Sequence, residues 1–219
     1  IIVMNTPGGN TNATAEHSLA LLISLYRSLP EANHSTHKGL WEKKRFKGLE
    51  LKGKDLGIIG FGNVGKRFAE IATALDMNVS ICSESFKLQE KKYPNIKNLT
   101  LYNLLSKSDI ISFHCKPSKD GLPMIKLKEL KMMKKNAVII NTARGNLVDE
   151  KDLKEALEKD IIKGAALDVF SEEPPKKNTL FGTKNLILTP HIAASTIEAQ
   201  IVVAEQIALQ ISNYFNKNE

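Results

Sequence analysis

The stretch DLGIIGFGNVGKRFAEIATAL, residues 55–75, places a short apolar run, a glycine-rich turn and a helical pattern in immediate succession. The apolar run Leu56-Gly57-Ile58-Ile59 is bounded by a turn, which predicts a buried strand. Apolar residues then recur at helical spacing over residues 64–75, which predicts a helix. A strand, a turn and a helix in this order are typical of the start of a βαβ unit.

The turn carries the spacing G-x-G-x-x-G at Gly60, Gly62 and Gly65. Alone this spacing is weak evidence, but between a strand and a helix each glycine has a physical role. The first permits the tight turn, the second lets the backbone approach a pyrophosphate, and the third brings helix and strand together. The helix N-terminus offers N–H groups and a partial positive charge to the phosphates. We therefore predict a dinucleotide-binding loop.

The choice between NAD and NADP is expected to depend on the end of the second strand. An acidic side chain there binds the ribose hydroxyls of NAD and repels the extra phosphate of NADP. Ser83 occupies the predicted position, and Glu84 follows it. We expect Glu84 to disfavour NADP, and we predict NAD as the cofactor with Ser83 near its ribose.

The rest of the chain alternates between apolar runs and helical patterns. Strands are predicted at residues 79–82, 110–113, 138–140, 165–169 and 186–188, and helices at 101–105, 127–133 and 150–159, the last with Asp149 as N-cap. Such alternation favours an α/β fold with a Rossmann-type, doubly wound parallel sheet. Two helices fall outside this rhythm, at residues 14–29, ended by Pro30, and at 197–215. Residues 171–177 are predicted to form a loop.

Length and composition exclude several classes of protein. At 219 residues the chain is one large domain or one and a half, and no apolar run approaches the length of a membrane span. The net charge of +7 comes mostly from lysines spread along the chain, so a solvated surface is favoured over a nucleic-acid interface. Cys82 and Cys115 lie in separate apolar runs, which favours free thiols in a reducing cytoplasm over a disulfide.

Polar residues follow the predicted strands at four places: His114-Cys115, Thr142 to Arg144, Asp168 and His191. Ligands of open α/β sheets bind at the carboxyl ends of the strands. Taken singly, each residue has a structural explanation, since a histidine in a loop or an arginine in a turn is usually not catalytic. We keep that structural interpretation for His114.

Three of these polar positions together fit one reaction. A hydride that leaves the carbon of an alcohol needs a base for the hydroxyl proton, and the imidazole of His191 suits that role. The carboxylate of Glu173 would orient the imidazole and stabilise its protonated form. The guanidinium of Arg144 would bind a carboxylate and polarise the adjacent carbonyl. The predicted substrate is therefore a 2-hydroxy or 2-keto acid, and no metal is required.

Several motifs in order resemble the D-isomer-specific 2-hydroxyacid dehydrogenases over essentially the whole chain. They are Asn5-Thr6-Pro7-Gly8 with Ala15-Glu16, the segment FKGLELKGK at 46–54, the glycine loop, INTARG at 140–145, AALDVF at 165–170, Glu172-Glu173-Pro174 and Thr189-Pro190-His191-Ile192. The resemblance implies substrate binding by Arg144, acid/base catalysis by His191 and orientation of His191 by Glu173. A formate dehydrogenase-like branch is disfavoured, since it places Gln rather than Glu beside the histidine.

The resemblance also implies further contacts with the cofactor. It places Asn63 and Val64 on the pyrophosphate and Asp168 opposite the nicotinamide carboxamide. The remaining residues at cofactor-contact positions are Cys115, Thr142, Ala194, Arg144 and His191. Three departures from the family pattern concern the cofactor rather than the catalytic trio: Ser83 replaces Asp, Asn63 replaces a frequent Arg, and Lys116-Pro117 shifts a proline by one residue.

Within the family, the segments Ala194-Ser195-Thr196 and Glu198-Ala199-Gln200 most resemble the phosphoglycerate dehydrogenase branch. That branch oxidises D-3-phosphoglycerate to 3-phosphohydroxypyruvate in serine biosynthesis. Three alternatives remain open: a glyoxylate or hydroxypyruvate reductase, an NADH-sensing scaffold of the corepressor type, and a nucleic-acid binder. Whether a phosphorylated substrate is preferred distinguishes the reductase from the phosphoglycerate dehydrogenase branch. Slow turnover with tight peptide binding would favour the scaffold, and salt-dependent duplex affinity would favour the nucleic-acid binder.

The resemblance divides the chain into two parts. Residues 1–196 are expected to form the NAD-binding domain, with a dimerisation helix near residues 14–29. Residues 197–219 are expected to form a helix that returns to a substrate-binding lobe, most of which would precede Ile1. The apolar opening Ile1-Ile2-Val3 looks like the end of a strand that begins elsewhere. The expected partners are a small, phosphorylated 2-hydroxy or 2-keto acid and further copies of the chain, in a homodimer or larger homo-oligomer, with no nucleic acid and no membrane.

Overall fold

A computed structural model describes residues 2–88 and 90–216. Ile1 and residues 217–219, on which part of the expected first strand and last helix falls, lie outside the described residues. The described part contains a seven-stranded sheet in the order β3-β2-β1-β4-β5-β6-β7, and every pairing is parallel. The strands are β1 Asp55–Ile59, β2 Asn78–Cys82, β3 Lys97–Asn98, β4 Ile110–Phe113, β5 Val138–Asn141, β6 Gly164–Leu167 and β7 Leu186–Leu188.

Helices cover both faces of this sheet. They are α1 Thr11–Arg27, α2 Leu29–His37, α3 Asn63–Ala74, α4 Leu101–Lys107, α5 Leu127–Leu130, α6 Glu150–Glu158 and α7 Ile197–Asn216. Short 3-10 segments occur at Glu84–Leu88, Glu90–Lys92 and Gly145–Leu147. As predicted, Asp149 caps α6, because its carboxylate accepts the N–H groups of Lys151 and Asp152, each at 3.0 Å.

Successive residues of the central strands point to opposite faces, so each strand contributes to two cores. Ile58 and Ile140 pack with α1 and α3, whereas their neighbours Ile59 and Ile139 pack with α4, α5 and α6. Because both faces are covered, the strands are apolar at nearly every position rather than at alternate ones. This pattern explains why the central strands were visible in the sequence as short continuous apolar runs.

The strand order reverses at β1, which lies between β2 and β4. The chain runs outward from β1 to β3 and then returns to the other side of β1. A crevice opens at such a reversal beyond the carboxyl ends of the strands. Two hydrogen bonds extend the ladder into this region: the N–H of Gly60 donates to the Cys82 carbonyl at 2.9 Å, and the N–H of His114 donates to the Ile59 carbonyl at 2.8 Å. The glycine loop is thereby fixed at the crevice.

The structure corrects the expected first helix. We predicted one helix at 14–29 ended by Pro30, but α1 begins at Thr11 and ends at Arg27, and Ser28 adopts a left-handed conformation with φ 49°. Pro30 then lies in the first turn of α2. Proline is tolerated there because the first N–H groups of a helix have no intrahelical partner. Proline therefore starts a second helix here and does not lead into a loop.

Smaller differences concern element ends and exposed segments. The predicted helix at 127–133 is a single turn, Leu127–Leu130, and β6 ends at Leu167, so Asp168 lies beyond the strand. Ile2 and Val3 are exposed and form no strand. Within the described ranges both cysteines are free, as predicted, and no helix is long and apolar enough to cross a membrane.

Candidate active site

The glycine loop joins β1 to α3 in the geometry that its spacing predicts. Gly60 has φ 94°, and a Cβ built there would lie 2.5 Å from the carbonyl oxygen of His114. A Cβ built on Gly65 would lie 2.2 Å from the carbonyl oxygen of Gly60. A Cβ on Gly62 would meet no atom within 4 Å. The chain's own packing therefore requires the first and third glycines, whereas the space beside Gly62 is open to a ligand.

The N-terminus of α3 faces that open space. Gly62 is the N-cap residue and carries no side chain that could accept the first N–H groups, so the N–H groups at Asn63 and Val64 remain available. The first turn holds no acidic residue, and the helix dipole adds a partial positive charge. A pyrophosphate fits this environment in both shape and charge. The residues present thus fit the dinucleotide that the sequence predicts.

A cavity of about 280 Å³ opens beyond the carboxyl ends of β1, β4 and β5. It contains six of the predicted site residues: Val64, Cys115, Thr142, Arg144, His191 and Ala194. It also contains residues that were not predicted as site residues: Asn10, Thr14, His114, Lys116, Ala143 and Ala193. The cavity therefore places the predicted substrate-binding arginine and the predicted acid/base histidine on one surface.

The His191 imidazole and the Glu173 carboxylate are in direct contact, with Nδ1 2.6 Å from Oε2. The other carboxylate oxygen accepts the N–H of Phe170 at 3.0 Å. Partial burial raises the pKa of Glu173, but the hydrogen bonds from Phe170 and His191 outweigh this effect and hold the pKa below its ordinary value. An ionised carboxylate can only accept, so Nδ1 carries the proton and Nε2 is left as the basic nitrogen.

The backbone at His191 is strained. Its φ of 53° lies in the left-handed region, which a residue other than glycine occupies only when its surroundings impose it. The N–H of His191 donates to the Thr189 carbonyl at 3.0 Å, which closes a tight turn. We call residues 189–193 the histidine loop. Its geometry aims a half-exposed imidazole into the cavity.

Asp168 supports the histidine loop from below. Its side chain is fully buried; Oδ1 accepts the Thr189 hydroxyl and the Ile192 N–H, and Oδ2 accepts the Ala193 N–H at 2.8 Å. Burial raises the pKa of Asp168, but hydrogen bonds from His17, Thr189 and the two N–H groups together lower it. Both carboxylate oxygens therefore accept hydrogen bonds from the histidine loop. The predicted contact of Asp168 with a nicotinamide carboxamide stays a prediction.

Arg144 lies at the exit of β5, as its position in the sequence predicted. The Asn141 side chain shapes this turn, because its amide donates to the Arg144 carbonyl at 2.9 Å and its oxygen accepts the Ala143 N–H at 3.0 Å. The exposed guanidinium donates to the Ala143 carbonyl at 2.6 Å. Behind the turn, the buried hydroxyls of Thr142 and Ser18 are 2.8 Å apart. The arginine thus extends into the cavity from a rigid base.

His114 keeps the structural role that we assigned to it, although it lies at the cavity wall. Its Nε2 is 2.9 Å from the Ser112 hydroxyl, and its ring packs on Phe68 with 5.3 Å between centroids. Burial lowers the pKa of His114 to about 3, so the ring stays neutral at physiological pH. Burial also raises the pKa of the neighbouring Cys115 thiol to about 11, so this cysteine is a poor nucleophile.

Ser83 lies at the end of β2, apart from the cavity that holds His191 and Arg144. Asn98 binds its backbone on both sides, since the Ser83 N–H donates to Oδ1 at 3.1 Å and the Ser83 carbonyl accepts Nδ2 at 3.0 Å. The Ser83 hydroxyl is 3.2 Å from the Ser85 hydroxyl. Glu84 is exposed. The proposed roles of Ser83 and Glu84 in cofactor choice stay predictions.

Sequence reasoning missed the contribution of α1. Thr14 lines the cavity, Ser18 contacts the arginine turn, and Nε2 of His17 is 3.2 Å from the Thr189 hydroxyl. The available signal was a run of polar residues on the buried side of an apolar helix. Within the described ranges, no group of three or more His, Cys, Asp or Glu side chains is arranged to hold a metal ion.

The family model described as D-isomer specific 2-hydroxyacid dehydrogenase, NAD binding domain, matches residues 19–193. The chain belongs to the D-isomer-specific 2-hydroxyacid dehydrogenase family. Membership in this family confirms the predicted Rossmann-type fold and NAD as the cofactor of the domain. The glycine loop and the α3 N-terminus are the parts of the dehydrogenase domain that fit the pyrophosphate of NAD.

Relatives within the dehydrogenase family differ in their substrates. D-3-phosphoglycerate dehydrogenase from Archaeoglobus fulgidus is 41% identical over 214 residues, which are 97% of this chain and 41% of that protein. Glyoxylate reductase from Thermococcus litoralis is also 41% identical, over 95% of this chain and 65% of its own length. The structure of D-lactate dehydrogenase from Aquifex aeolicus, complexed with NAD and lactic acid, has a TM-score of 0.86 at 29% identity, over 97% of this chain and 68% of that one. The chain spans only part of each relative.

Proposed function

We propose that the chain is the nucleotide-binding part of an NAD-dependent enzyme that oxidises D-3-phosphoglycerate at C2. The observation that carries this proposal is the 2.6 Å contact of Glu173 with His191, which lines the same cavity as Arg144. A base with an oriented proton and a cation for a carboxylate are the two functions that oxidation of a 2-hydroxy acid requires.

The residues divide the reaction between them. Arg144 binds the substrate carboxylate through its forked guanidinium and holds the hydroxyl-bearing carbon over the cavity. Nε2 of His191 takes the hydroxyl proton while the C2 hydrogen leaves as hydride and the carbonyl forms. Glu173 stabilises the resulting imidazolium through Nδ1. NAD, when bound, would accept the hydride, and the backbone of Gly60 to Gly65 with the N-terminus of α3 would hold its pyrophosphate.

Two features support a phosphorylated substrate. Lys116 lines the same cavity as Arg144, so two cations face the space where a carboxylate and a phosphate would lie. The segments Ala194-Ser195-Thr196 and Glu198-Ala199-Gln200 resemble the phosphoglycerate dehydrogenase branch. The equal identity of the archaeal glyoxylate reductase favours a second candidate, the reduction of glyoxylate or hydroxypyruvate in the same site.

Substrate preference separates the two candidates. The protein that contains these 219 residues is assayed with NAD and either D-3-phosphoglycerate or D-glycerate, and with NADH and glyoxylate. A charge-assisted contact to the phosphate raises kcat/KM for the phosphorylated acid by roughly 10- to 100-fold. His191→Asn abolishes either activity, and His37→Asn, at an exposed helix end, is the matched control. Equal use of both glycerates, or faster reduction of glyoxylate, contradicts the phosphoglycerate assignment and favours the reductase.

The isolated chain is expected to bind NADH and to turn over poorly, because relatives that it matches extend well beyond it. Titration of nicotinamide fluorescence with NADH and NADPH measures the binding and its selectivity. We expect stronger binding of NADH. Similar affinity for both cofactors would mean that Ser83 has relaxed the choice.

We also propose that the protein is a homodimer or larger homo-oligomer, as the resemblance implies, and that it is cytoplasmic, as its two free cysteines favour. The segment that follows α2 supports an interface, because Leu40 and Trp41 are 49% and 86% exposed. Sedimentation at micromolar concentration tests the proposal. A mass of one protomer would contradict it.

A further inference from the structure

The structure connects α1 to the histidine loop through a chain of hydrogen bonds. Thr189 donates its single hydroxyl proton to Asp168 Oδ1, since a carboxylate with a lowered pKa can only accept. The Thr189 oxygen is then an acceptor for His17, whose Nε2 lies 3.2 Å away. His17 therefore carries its proton on Nε2, and the order of donation is His17 to Thr189 to Asp168.

Asp168 joins the Thr189 hydroxyl to the backbone N–H groups beside the acid/base residue His191. Its two oxygens accept the N–H groups of Ile192 and Ala193, at 2.9 and 2.8 Å. These are the two residues that follow His191, whose backbone is held at φ 53°. The direct approach of His17 Nε2 to Asp168 Oδ1, at 3.4 Å, adds an electrostatic contact when the imidazole is charged.

We propose that His17 is a positioning residue for the histidine loop. His17 does not line the cavity, and it acts through Thr189 and Asp168 on the two N–H groups that fix the turn at His191. The functional part of this inference rests on the proposed acid/base role of His191. The structural part concerns only the order of residues 189–193 and is tested without any substrate.

A catalytic base such as the proposed His191 must be held in the correct position relative to the proton that it removes. A misplacement of about 1 Å costs roughly 100-fold in rate when groups must meet in a near-attack geometry. His17 links the loop to a helix 172 residues away in sequence, so it ties the loop to the core that α1 shares with the sheet. Without this link, the loop retains its bonds to Asp168 but loses the restraint on the Thr189 hydroxyl.

Amide hydrogen exchange of the 219-residue chain tests the proposal. His17→Ala is expected to speed the exchange of the Ile192 and Ala193 amides by roughly 5- to 10-fold, the effect of one lost hydrogen bond. The Ile111 amide in β4 reports opening of the sheet and is expected to stay within about 2-fold. The exposed His37→Ala is the matched control, with no effect on either set.

Two further variants distinguish positioning from general support of the fold. His17→Gln keeps an N–H donor and is expected to restore exchange at residues 192 and 193 to within about 2-fold of the original chain. Thr189→Val breaks the same relay, so the double variant with His17→Ala is expected to add less than about 2-fold to either single one. Unchanged exchange in His17→Ala, equal acceleration at Ile111, or additive effects in the double variant would each overturn the proposal.

A kinetic measurement links the relay to the reaction. In the protein that contains the chain, His17→Ala is expected to lower kcat by about 10-fold or more while NADH affinity stays within about 2-fold. An unchanged kcat would overturn the functional part of the inference. If the exchange results hold but no 2-hydroxy acid is oxidised, the proposed function fails and the structural part of the inference stands.

Discussion

Replacement of glycine by alanine is expected to change stability and NADH affinity differently at Gly62 and at Gly65 of the glycine loop. Gly62→Ala introduces a methyl group where no atom lies within 4 Å, at a residue with extended backbone that alanine adopts readily. We expect the free energy of unfolding to stay equal or to rise by about 0.4–1 kcal/mol, because alanine restricts the unfolded chain. The same methyl occupies the space that the pyrophosphate needs. NADH affinity is therefore expected to fall by at least about 10-fold, or about 1.4 kcal/mol.

Gly65→Ala is expected to have the opposite effect on stability. The new Cβ would lie 2.2 Å from the Gly60 carbonyl oxygen and 3.4 Å from the His114 Cβ, so α3 must move away from β1. Overpacking of this kind costs roughly 1–3 kcal/mol and occasionally more. Replacement of glycine by alanine within a helix stabilises the helix by about 1 kcal/mol. Because the contacted atom belongs to the backbone and cannot rotate away, the upper end of the overpacking cost applies, and the net loss is about 2 kcal/mol.

Urea denaturation followed by circular dichroism measures the stability of both variants, and nicotinamide fluorescence measures NADH binding by the folded fraction. The two variants are matched because the chemical change is identical and the positions are three residues apart. If Gly65→Ala is as stable as the original chain, then α3 does not approach the end of β1 as closely as described. If Gly62→Ala binds NADH within 2-fold of the original chain, the pyrophosphate does not lie beside Gly62.

Three further predictions concern carboxylates. Asp168→Asn leaves one of the buried N–H groups of the histidine loop without an acceptor and weakens the remaining bonds, so we expect a loss of about 3 kcal/mol in urea denaturation. The exposed and left-handed Asp160 tolerates Asn and should change by no more than about 0.5 kcal/mol; equal stability of the two variants would contradict the network. Asp109, before β4, accepts the Asp55 N–H and the Lys134 ammonium, each at 3.0 Å. Hydrogen bonds hold the pKa values of Asp168 and Asp109 below normal despite burial, so their stabilisation is complete above the unfolded pKa of about 4 and is lost as pH falls through the lower folded values. Stability that is flat down to pH 2 would refute this sign. Glu173→Gln removes the charge that stabilises the imidazolium, and kcat of the protein that contains the chain should fall about 100-fold; a kcat within 3-fold would remove Glu173 from the mechanism.

The sequence predicted the sheet better than the segments around it. β4 and β7 were predicted with their observed bounds, because short apolar runs between turns have few other interpretations. α2 was missed because its sequence LPEANHSTH has almost no apolar period, and β3 because it has only two residues. α2 buries Ser35 alone and both residues of β3 are exposed, so neither element carries the apolar signal on which the prediction depends.

The site was predicted in part for a similar reason. Arg144 and His191 stand directly after predicted strands, and the carboxyl ends of parallel strands meet at one edge, so their proximity followed from topology. The contacts of Ser18 with Thr142 and of His17 with Thr189 join residues 124 and 172 positions apart. No local pattern encodes such pairs, and a polar side chain on an apolar helix gives no indication of its partner.

The packing of α1 has a consequence for biosynthesis. The helix is made before the strands of the sheet, yet the core that receives it includes Val138, Ile140 and Ala166, and His17 pairs with a residue 172 positions later. At a synthesis rate of about 5–20 residues per second, roughly 10–30 s pass between the emergence of His17 and that of Thr189. For much of that interval α1 lacks the part of its core that Val138, Ile140 and Ala166 contribute, although α3 and β1 have already been made. Part of the apolar face of α1 is therefore exposed on the nascent chain until β5 and β6 have been made, and α1 completes its packing only after them.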